Sequence, residues 1–237
     1  MEDQIILVDK PAGISSFGVV ARVRRELKEE FGHKVKLGHT GTLDPFATGL
    51  LILLSGKMTK KSNEFLKHDK VYEATLKLGY ISSTGDPEGE IREYFNSGPR
   101  PSGPSPRADG ANSRAAALRN TPNQNILEST LQSFVGEISQ TPPKFSAIKI
   151  NGQRAYKLAR KGEDFEIPSR KVTIYSIDIL DYNYPELKIR THVSSGTYIR
   201  TLAEDIGKAL GTGAYLTALR RTKIAGYDVK DARKITL

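Results

Sequence analysis

Residues 38–54 read Gly-His-Thr-Gly-Thr-Leu-Asp-Pro-Phe-Ala-Thr-Gly-Leu-Leu-Ile-Leu-Leu. Three glycines and a proline impose an irregular backbone on the first twelve of these residues. The five apolar residues that follow predict a short strand buried on both faces. Reactive side chains tend to lie on loops held by a rigid scaffold, and Asp44 is the acidic residue of this loop. Aspartate is also a common turn residue, so on residue type alone a structural role for Asp44 is as reasonable as a chemical one.

The segments on either side of this loop predict an α+β fold. Residues 71–78 and 187–193 alternate between apolar and polar side chains, which is typical of half-buried strands. Ser15 or Ser16 can cap one helix, and a second helix follows residues 194–197. Because strands and helices do not alternate regularly, we expect a mixed, mostly antiparallel central sheet flanked by helices. The apolar face of the first helix is predicted to comprise Phe17, Val20, Leu27 and Phe31.

We expect one catalytic domain over residues 1–237, interrupted by a segment of different composition. Residues 96–125 hold five of the twelve prolines, three glycines and four serines, and no aromatic residue. Leu118 is the only large aliphatic residue there. Such a segment cannot bury enough apolar surface to offset the entropy lost on ordering. We therefore predict a flexible insertion at residues 96–125.

The charge of the chain favours a polyanionic partner. Lys and Arg number 36 against 27 Asp and Glu, a net charge of +9. Residues 144–171 carry eight basic and three acidic side chains, and aromatic residues lie between them. Cations interleaved with aromatic rings suit RNA phosphates and exposed bases, although a solvated basic face would have the same composition.

Several classes of site and location are excluded or disfavoured. The chain has no cysteine, so disulfides, thiolate chemistry and Cys-ligated metals are excluded. The four histidines show no ligand spacing, and we predict no metal. The start of the chain lacks a signal peptide and the longest apolar run has five residues, far below the roughly 20 that span a bilayer. We expect no membrane association and a cytoplasmic location.

A second candidate element lies at residues 195–202, Ser-Gly-Thr-Tyr-Ile-Arg-Thr-Leu. Tyr198 and Arg200 lie where a helix begins, so an aromatic face and a cation can point into one cleft. The planar fork of arginine pairs well with a carboxylate. A surface arginine beside a boundary tyrosine is the plainer interpretation. Tyr72 shares a strand face with apolar residues and is by default a core residue.

Together these segments resemble the tRNA pseudouridine-55 synthase B family. They occur in the family's order and cover nearly the whole chain outside residues 96–125. The Gly-x-Leu-Asp-Pro-x-Ala-x-Gly pattern of the loop is highly specific. The matching segments are residues 9–16, 38–49, 70–72 with 78–79, 84–86 with Gly89, 142–149, 196–202 and 219–221.

The resemblance implies an enzyme that isomerises uridine to pseudouridine at position 55 in the T-loop of tRNA, by base flipping and without a cofactor or metal. Asp44 matches the family's essential aspartate, and Arg200 matches the residue that pairs with it. Tyr72 matches the aromatic residue that stacks on the flipped base. Whether the aspartate adds to the ring, attacks the ribose or removes a ribose proton stays open at this point.

The same resemblance assigns supporting residues. Tyr198 and Leu219 match the lining of the pocket, His39 a residue that holds everted nucleotides, and Asp86 a polar partner near the pocket. The basic segment 142–171 corresponds to a part that clamps RNA. The candidates for RNA contact are Lys10, Lys144, Lys149 and Arg154.

The chain departs from the family pattern in two places. Many members carry Thr-Asp-Thr before the aspartate that matches Asp86, whereas here residues 82–85 read Ser-Ser-Thr-Gly. Members usually continue into a C-terminal RNA-binding extension, which we do not expect in a chain ending at Leu237. Two alternatives therefore stay open: a pseudouridine synthase acting on another RNA stem-loop, and a non-catalytic RNA-binding or RNA-folding protein. No protein partner is implied, and we expect a monomer.

Overall fold

The leucine-rich stretch after the Asp44 loop forms a buried strand of the main sheet, in a computed structural model that describes residues 3–94 and 121–235. This strand spans Thr48–Ser55. Leu51 and Leu53 pack on one side with the helix Ser16–Phe31, and Leu50, Ile52 and Leu54 pack on the other side against Phe65 and Ile224. Burial on both faces explains why the sequence here is continuously apolar rather than alternating.

Within the described residues, ten strands join in the main sheet, and two small hairpins lie beside it. In chain order the strands are β1 (Ile5–Lys10), β2 (Leu37–His39), β3 (Thr48–Ser55), β4 (Lys70–Leu78), β5 (Tyr80–Ser82), β6 (Ile91–Glu93), β7 (Gly136–Gln140), β8 (Lys149–Ile150), β9 (Gln153–Arg154), β10 (Arg170–Asn183), β11 (Glu186–Val193), β12 (Ala214–Ile224), β13 (Tyr227–Asp228) and β14 (Arg233–Lys234).

The main sheet has the order β14-β1-β3-β12-β4-β11-β10-β7, with β2 on β3 and β13 on β12. The long pairs β1–β3, β4–β12, β4–β11, β10–β11 and β7–β10 are antiparallel. Parallel pairing occurs in the short contacts β1–β14 and β3–β12. The predicted mixed, mostly antiparallel α+β architecture is confirmed.

The helices α1 (Ser16–Phe31), α2 (Ser62–Leu66), α3 (Gln124–Ser133), α4 (Ala155–Arg160) and α5 (Ile199–Ala209) flank the sheet. The largest apolar cluster unites α3 and α5 with the inner faces of β4, β10, β11 and β12. Leu43 and Ala47 of the Asp44 loop belong to the same cluster. The core therefore reaches directly into the loop that carries Asp44.

The structure confirms the predicted boundaries of helix α1 but only part of its predicted apolar face. Ser15 caps the helix by accepting a hydrogen bond from the N–H of Gly18, and Gly32 ends it with φ of 76°. Phe17, expected in the core, is 65% exposed. The buried face of the first turn passes through Ser16 and Val19 instead.

Most of the predicted insertion at residues 96–125 lies outside the described residues. Its last five residues are described, and they belong to the ordered fold. Asn123 caps α3 by accepting from the N–H of Ile126, and the carbonyl of Pro122 accepts from the hydroxyl of Tyr182 at 2.7 Å. The insertion was therefore predicted to extend too far at this end, because asparagine and proline mark a helix start as well as a flexible segment.

No helix in the two described ranges is both long and apolar enough to cross a membrane.

Gly49→Ala should lower the free energy of unfolding by about 3 kcal/mol, because the substitution combines backbone strain with overpacking. Gly49 has φ of 103°, and an added Cβ would lie 2.8 Å from the backbone nitrogen of Arg221 and overlap its carbonyl. Denaturant unfolding measures the loss. Gly38→Ala is the matched control, since a Cβ there meets nothing within 4 Å; its change should stay within roughly 1 kcal/mol. Equal losses in the two variants would contradict this account.

Candidate active site

The guanidinium of Arg200 lies between two carboxylates. Its Nε is 3.0 Å from Oδ2 of Asp44, and its Nη1 is 3.2 Å from Oδ2 of Asp86. The side chain of Arg200 is 5% exposed, whereas that of Asp44 is 32% exposed. Arg200 is thus shielded from solvent, while the carboxylate it holds stays open to a substrate.

Two backbone carbonyls complete the surroundings of Arg200. Its Nη1 donates to the carbonyl of Thr84 at 3.0 Å, and its Nη2 donates to the carbonyl of Phe145 at 2.9 Å. The planar donor fork of arginine suits four acceptors placed around it. One side chain on α5 therefore joins the Asp44 loop, the turn after β5 and the start of the basic segment.

Asp86 is held by the turn in which the sequence departs from the family pattern. Its Oδ1 accepts from the hydroxyl of Thr84 at 2.5 Å and from the N–H of Glu88 at 3.0 Å. The hydroxyl of Ser82 donates to the backbone carbonyl of Asp86 at 2.6 Å. The Ser-Ser-Thr-Gly sequence thus still supplies one hydroxyl donor to the carboxylate, from Thr84, and one to the backbone of Asp86, from Ser82.

Lys10 does not lie where an RNA contact requires it, and that prediction is wrong. The residue is 0% exposed, and its Nζ donates to the carbonyls of Pro11, Pro45 and Ala47 at 2.8, 3.1 and 2.6 Å. Burial lowers the pKa of Lys10 to about 8, against the opposing influence of Asp44. Three converging carbonyls give the ammonium partners that solvent would otherwise supply. Lys10 fixes the backbone on the C-terminal side of Asp44.

Two further residues that hold the loop were missed from the sequence. The hydroxyl of Ser16 accepts from the N–H of Leu43 at 2.8 Å and donates to its carbonyl at 2.9 Å. Arg221, fully buried, donates to the carbonyls of Leu50 and Gly41 at 2.8 and 3.2 Å.

Each of these residues left a signal in the sequence. A helix needs one N-cap, so the second serine of Ser15-Ser16 was free for another role. Successive residues of a strand point to opposite faces, so one arginine of Arg220-Arg221 had to face inward.

Two of the candidates, Tyr72 and Leu219, belong to the apolar cluster that reaches into the Asp44 loop. Tyr72 on β4 and Leu219 on β12 are buried in the cluster that also contains Leu43 and Ala47, the neighbours of Asp44 in the loop. Leu219 lies opposite Ala74, two residues from Tyr72 on β4. The predicted stacking residue and one of the two predicted lining residues therefore belong to the same apolar cluster as the base of the loop.

His39 and Tyr198 lie on two different segments. The Nδ1 of His39 accepts from the N–H of Gly41 at 3.4 Å. Burial, with Arg221 beside it, lowers the pKa of His39, so the ring is neutral at pH 7. The ring of Tyr198 has the guanidinium carbon of Arg170 5.0 Å from its centroid.

The other three candidates for RNA contact are exposed. Lys149 and Arg154 belong to the β8–β9 hairpin, and Arg154 also donates to the carbonyl of Ala147. Lys144 pairs with Asp164 at 3.0 Å, so part of its charge is already compensated. All three remain predictions for RNA contact.

Two acidic groups near Arg200, Asp44 and Glu88, have raised pKa values. Burial raises the pKa of Asp44 above its ordinary value and Asp86 acts in the same direction, while Arg200 and Lys10 oppose the shift. Glu88 also has a raised pKa, from burial and then from Asp86 and Asp44. An arginine-held carboxylate with a raised pKa is a stronger base when ionised than an ordinary aspartate.

Among residues 3–94 and 121–235, no three His, Asp or Glu side chains are grouped so that they could hold a metal ion. The predicted absence of a cofactor stays a prediction.

The chain matches a family model described as the N-terminal domain of TruB family pseudouridylate synthases, at residues 25–101 and 106–199. The chain belongs to this family. Residues 200–237 match a second model, the C-terminal domain of tRNA pseudouridylate synthase B. Membership of the TruB family confirms the resemblance drawn from the loop motif and the prediction of a pseudouridine synthase, which is an isomerase.

Two curated relatives of this TruB-family chain match it over more than nine-tenths of both sequences. A tRNA pseudouridine synthase B of Phocaeicola vulgatus is 41% identical over 99% of this chain and 91% of its own. The protein of the same name from Flavobacterium johnsoniae is 43% identical over 100% and 95%.

Among solved structures, a Cbf5-Nop10-Gar1 complex contains a chain with a TM-score of 0.66 and 27% identity. It matches 98% of this chain, which spans about half (52%) of that one.

Arg200→Gln should lower the free energy of unfolding by about 3–5 kcal/mol, because it leaves the carboxylate of Asp86 buried without its cation. Denaturant unfolding measures the loss. The matched control is Arg190→Gln, which breaks a 2.9 Å pair with Glu73 on the exposed sheet face; it should cost at most about 1 kcal/mol. A loss in Arg200→Gln no larger than in the control would show that the buried pairs contribute little to stability.

Proposed function

We propose that this chain converts uridine to pseudouridine at position 55 in the T-loop of tRNA, with Asp44 as the essential catalytic group. The observation that carries the proposal is the Asp44–Arg200–Asp86 arrangement, in which a buried arginine presents one accessible carboxylate. Relatives named tRNA pseudouridine synthase B support tRNA as the substrate.

The reaction requires a group such as Asp44 but no co-reactant. The bond between ribose C1′ and uracil N1 breaks, the uracil turns, and a bond forms between C1′ and C5. C5 loses its proton and N1 gains one, so no atom is added or lost. The carboxylate acts in its ionised form, as nucleophile or base. Arg200 holds it in place during the steps in which the base is detached.

The apolar residues beside Asp44 suit a base taken out of its stack. A base inside a folded RNA loop is inaccessible, so the target must be flipped into a pocket. Tyr72 supplies an aromatic face, and Leu219 and Tyr198 line the pocket. His39, held neutral, contacts the nucleotides that leave the stack together with the target. An apolar pocket also keeps water from capturing the detached sugar.

Residues 142–171 form the RNA clamp in this proposal. The exposed Lys149 and Arg154 contact phosphates of the T-arm, and Lys144 joins them when RNA displaces Asp164 from its side chain. Phosphate contacts fix the register of the RNA while the pocket reads the base. The enzyme acts in the cytoplasm as a monomer with a single catalytic domain, without a metal or cofactor.

Asp44→Asn should abolish pseudouridine formation while tRNA binding survives, because the amide keeps the shape of the side chain but cannot act as nucleophile or base. The substrate is an unmodified T-arm stem-loop, product is mapped by position, and binding is measured separately. Asp181→Asn, on an exposed part of β10, is the control for the same chemical change.

Full activity in Asp44→Asn would show that Asp44 is not the essential catalytic group. Product in another RNA but in no tRNA would favour the alternative substrate. Binding of tRNA without product from any RNA would favour a non-catalytic RNA-binding protein.

On the acid side of the pH profile, the rate should fall at a higher pH than it would with an ordinary aspartate. The active form is the carboxylate, and burial raises the pKa of Asp44 above 3.8. As the pH falls, the ionised fraction is therefore lost earlier than for a solvent-exposed aspartate. Single-turnover rates across the acid range measure this, with circular dichroism confirming that the protein stays folded. A half-maximal rate at or below pH 3.8 would contradict the prediction.

A further inference from the structure

Gln140 binds the backbone of one residue through both ends of its side-chain amide. It is the last residue of β7, at the edge of the main sheet, and is 1% exposed. Its Nε2 donates to the carbonyl of Tyr198 at 3.1 Å, and its Oε1 accepts from the N–H of Tyr198 at 2.8 Å. Backbone N–H groups only donate and carbonyls only accept, so chemistry alone fixes the orientation of this amide.

These two hydrogen bonds lie where α5 begins. Tyr198 is the N-cap residue, and its side chain makes no cap hydrogen bond. Its carbonyl also accepts from the N–H of Leu202 at 3.0 Å, within the first turn of the helix. Gln140 therefore holds the peptide groups on either side of Tyr198. These two groups set the direction of the first turn of α5.

The segment after Gln140 runs along the same turn of α5. The hydroxyl of Thr201 donates to the carbonyl of Thr141 at 3.4 Å, and Nη2 of Arg200 donates to the carbonyl of Phe145 at 2.9 Å. Gln140 is thus the buried start of a chain of contacts that ends on the guanidinium of Arg200.

Arg200 is the second residue of α5, two positions after Tyr198. It must meet Asp44 at 3.0 Å and Asp86 at 3.2 Å at the same time. A small rotation of the first turn would lengthen one of these contacts or both. Misplacement of a reacting group by about 1 Å can reduce a rate on the order of 100-fold.

We propose that Gln140 is a positioning residue for the isomerase reaction. It fixes the backbone of Tyr198 and so the direction from which Arg200 reaches Asp44. This inference rests on the proposed function, because it concerns the same site.

Gln140→Leu removes both hydrogen bonds and keeps the side chain similar in volume. With an unmodified T-arm stem-loop, we expect the single-turnover rate of the folded enzyme to fall about 10- to 100-fold. The KM for RNA should change less than about threefold, since the proposed phosphate contacts at Lys144, Lys149 and Arg154 stay in place. Gln132→Leu, on the exposed side of α3, is the matched control and should leave both unchanged.

Gln140→Glu gives a test that does not depend on the leucine variant folding. At about pH 8 its carboxylate faces the carbonyl of Tyr198 without a donor, so the rate should fall. At about pH 6 the buried carboxyl is protonated and its O–H can donate to that carbonyl again. The ratio of the variant's rate to the wild-type rate should therefore rise at least about fivefold between these pH values, with Gln132→Glu giving a constant ratio.

The outcomes separate the two proposals. If the wild type makes no pseudouridine in any tRNA, the proposed function fails. If the wild type is active and a folded Gln140→Leu enzyme keeps the wild-type single-turnover rate, the positioning role is overturned. A folded Gln140→Glu enzyme that keeps the wild-type rate at both pH values would also overturn it, because a residue that only stabilised the fold would alter the melting temperature and not the rate.

Discussion

The site depends on one buried guanidinium. Arg200 touches two carboxylates and two carbonyls that come from three separate parts of the chain. Placing a cation out of water is costly unless its donors are matched, and here four acceptors surround it. The same four contacts bring the Asp44 loop, the turn around Asp86 and the start of the basic segment to the first turn of α5. The four contacts of Arg200 therefore join these parts of the fold and also hold the carboxylate of Asp44 in place.

Two more buried cations hold the Asp44 loop, Lys10 from β1 and Arg221 from β12. The loop lies between an apolar cluster beneath it and these polar contacts at its ends. An irregular loop has few backbone hydrogen bonds of its own, so its carbonyls need donors from elsewhere. The positive charge near the site thus has two uses: exposed cations suit an RNA backbone, and buried cations shape the loop.

Much of this could be predicted from the sequence, and the rest could not for identifiable reasons. Strand alternation predicted β4 and β11. The loop motif indicated Asp44, the segment 195–202 indicated Arg200, and the two together indicated the family. The role of Lys10 was wrong because the sequence does not say whether a lysine before a proline points outward. Phe17 was placed in the core by periodicity alone, which did not show that the buried face of the first turn passes through Ser16 and Val19. Ser16, Arg221 and Gln140 act through backbone groups that the sequence cannot place.

The preference of these buried side chains for main-chain carbonyls limits how the chain can change during evolution. Lys10 binds carbonyls of residues 11, 45 and 47, and Arg221 binds those of residues 41 and 50. A carbonyl is present whatever the side chain, so many of the contacted positions can vary in identity without loss of the contact. One inserted or deleted residue between 41 and 50 would move several acceptors at once. Selection on this loop therefore acts on its length as much as on its residues.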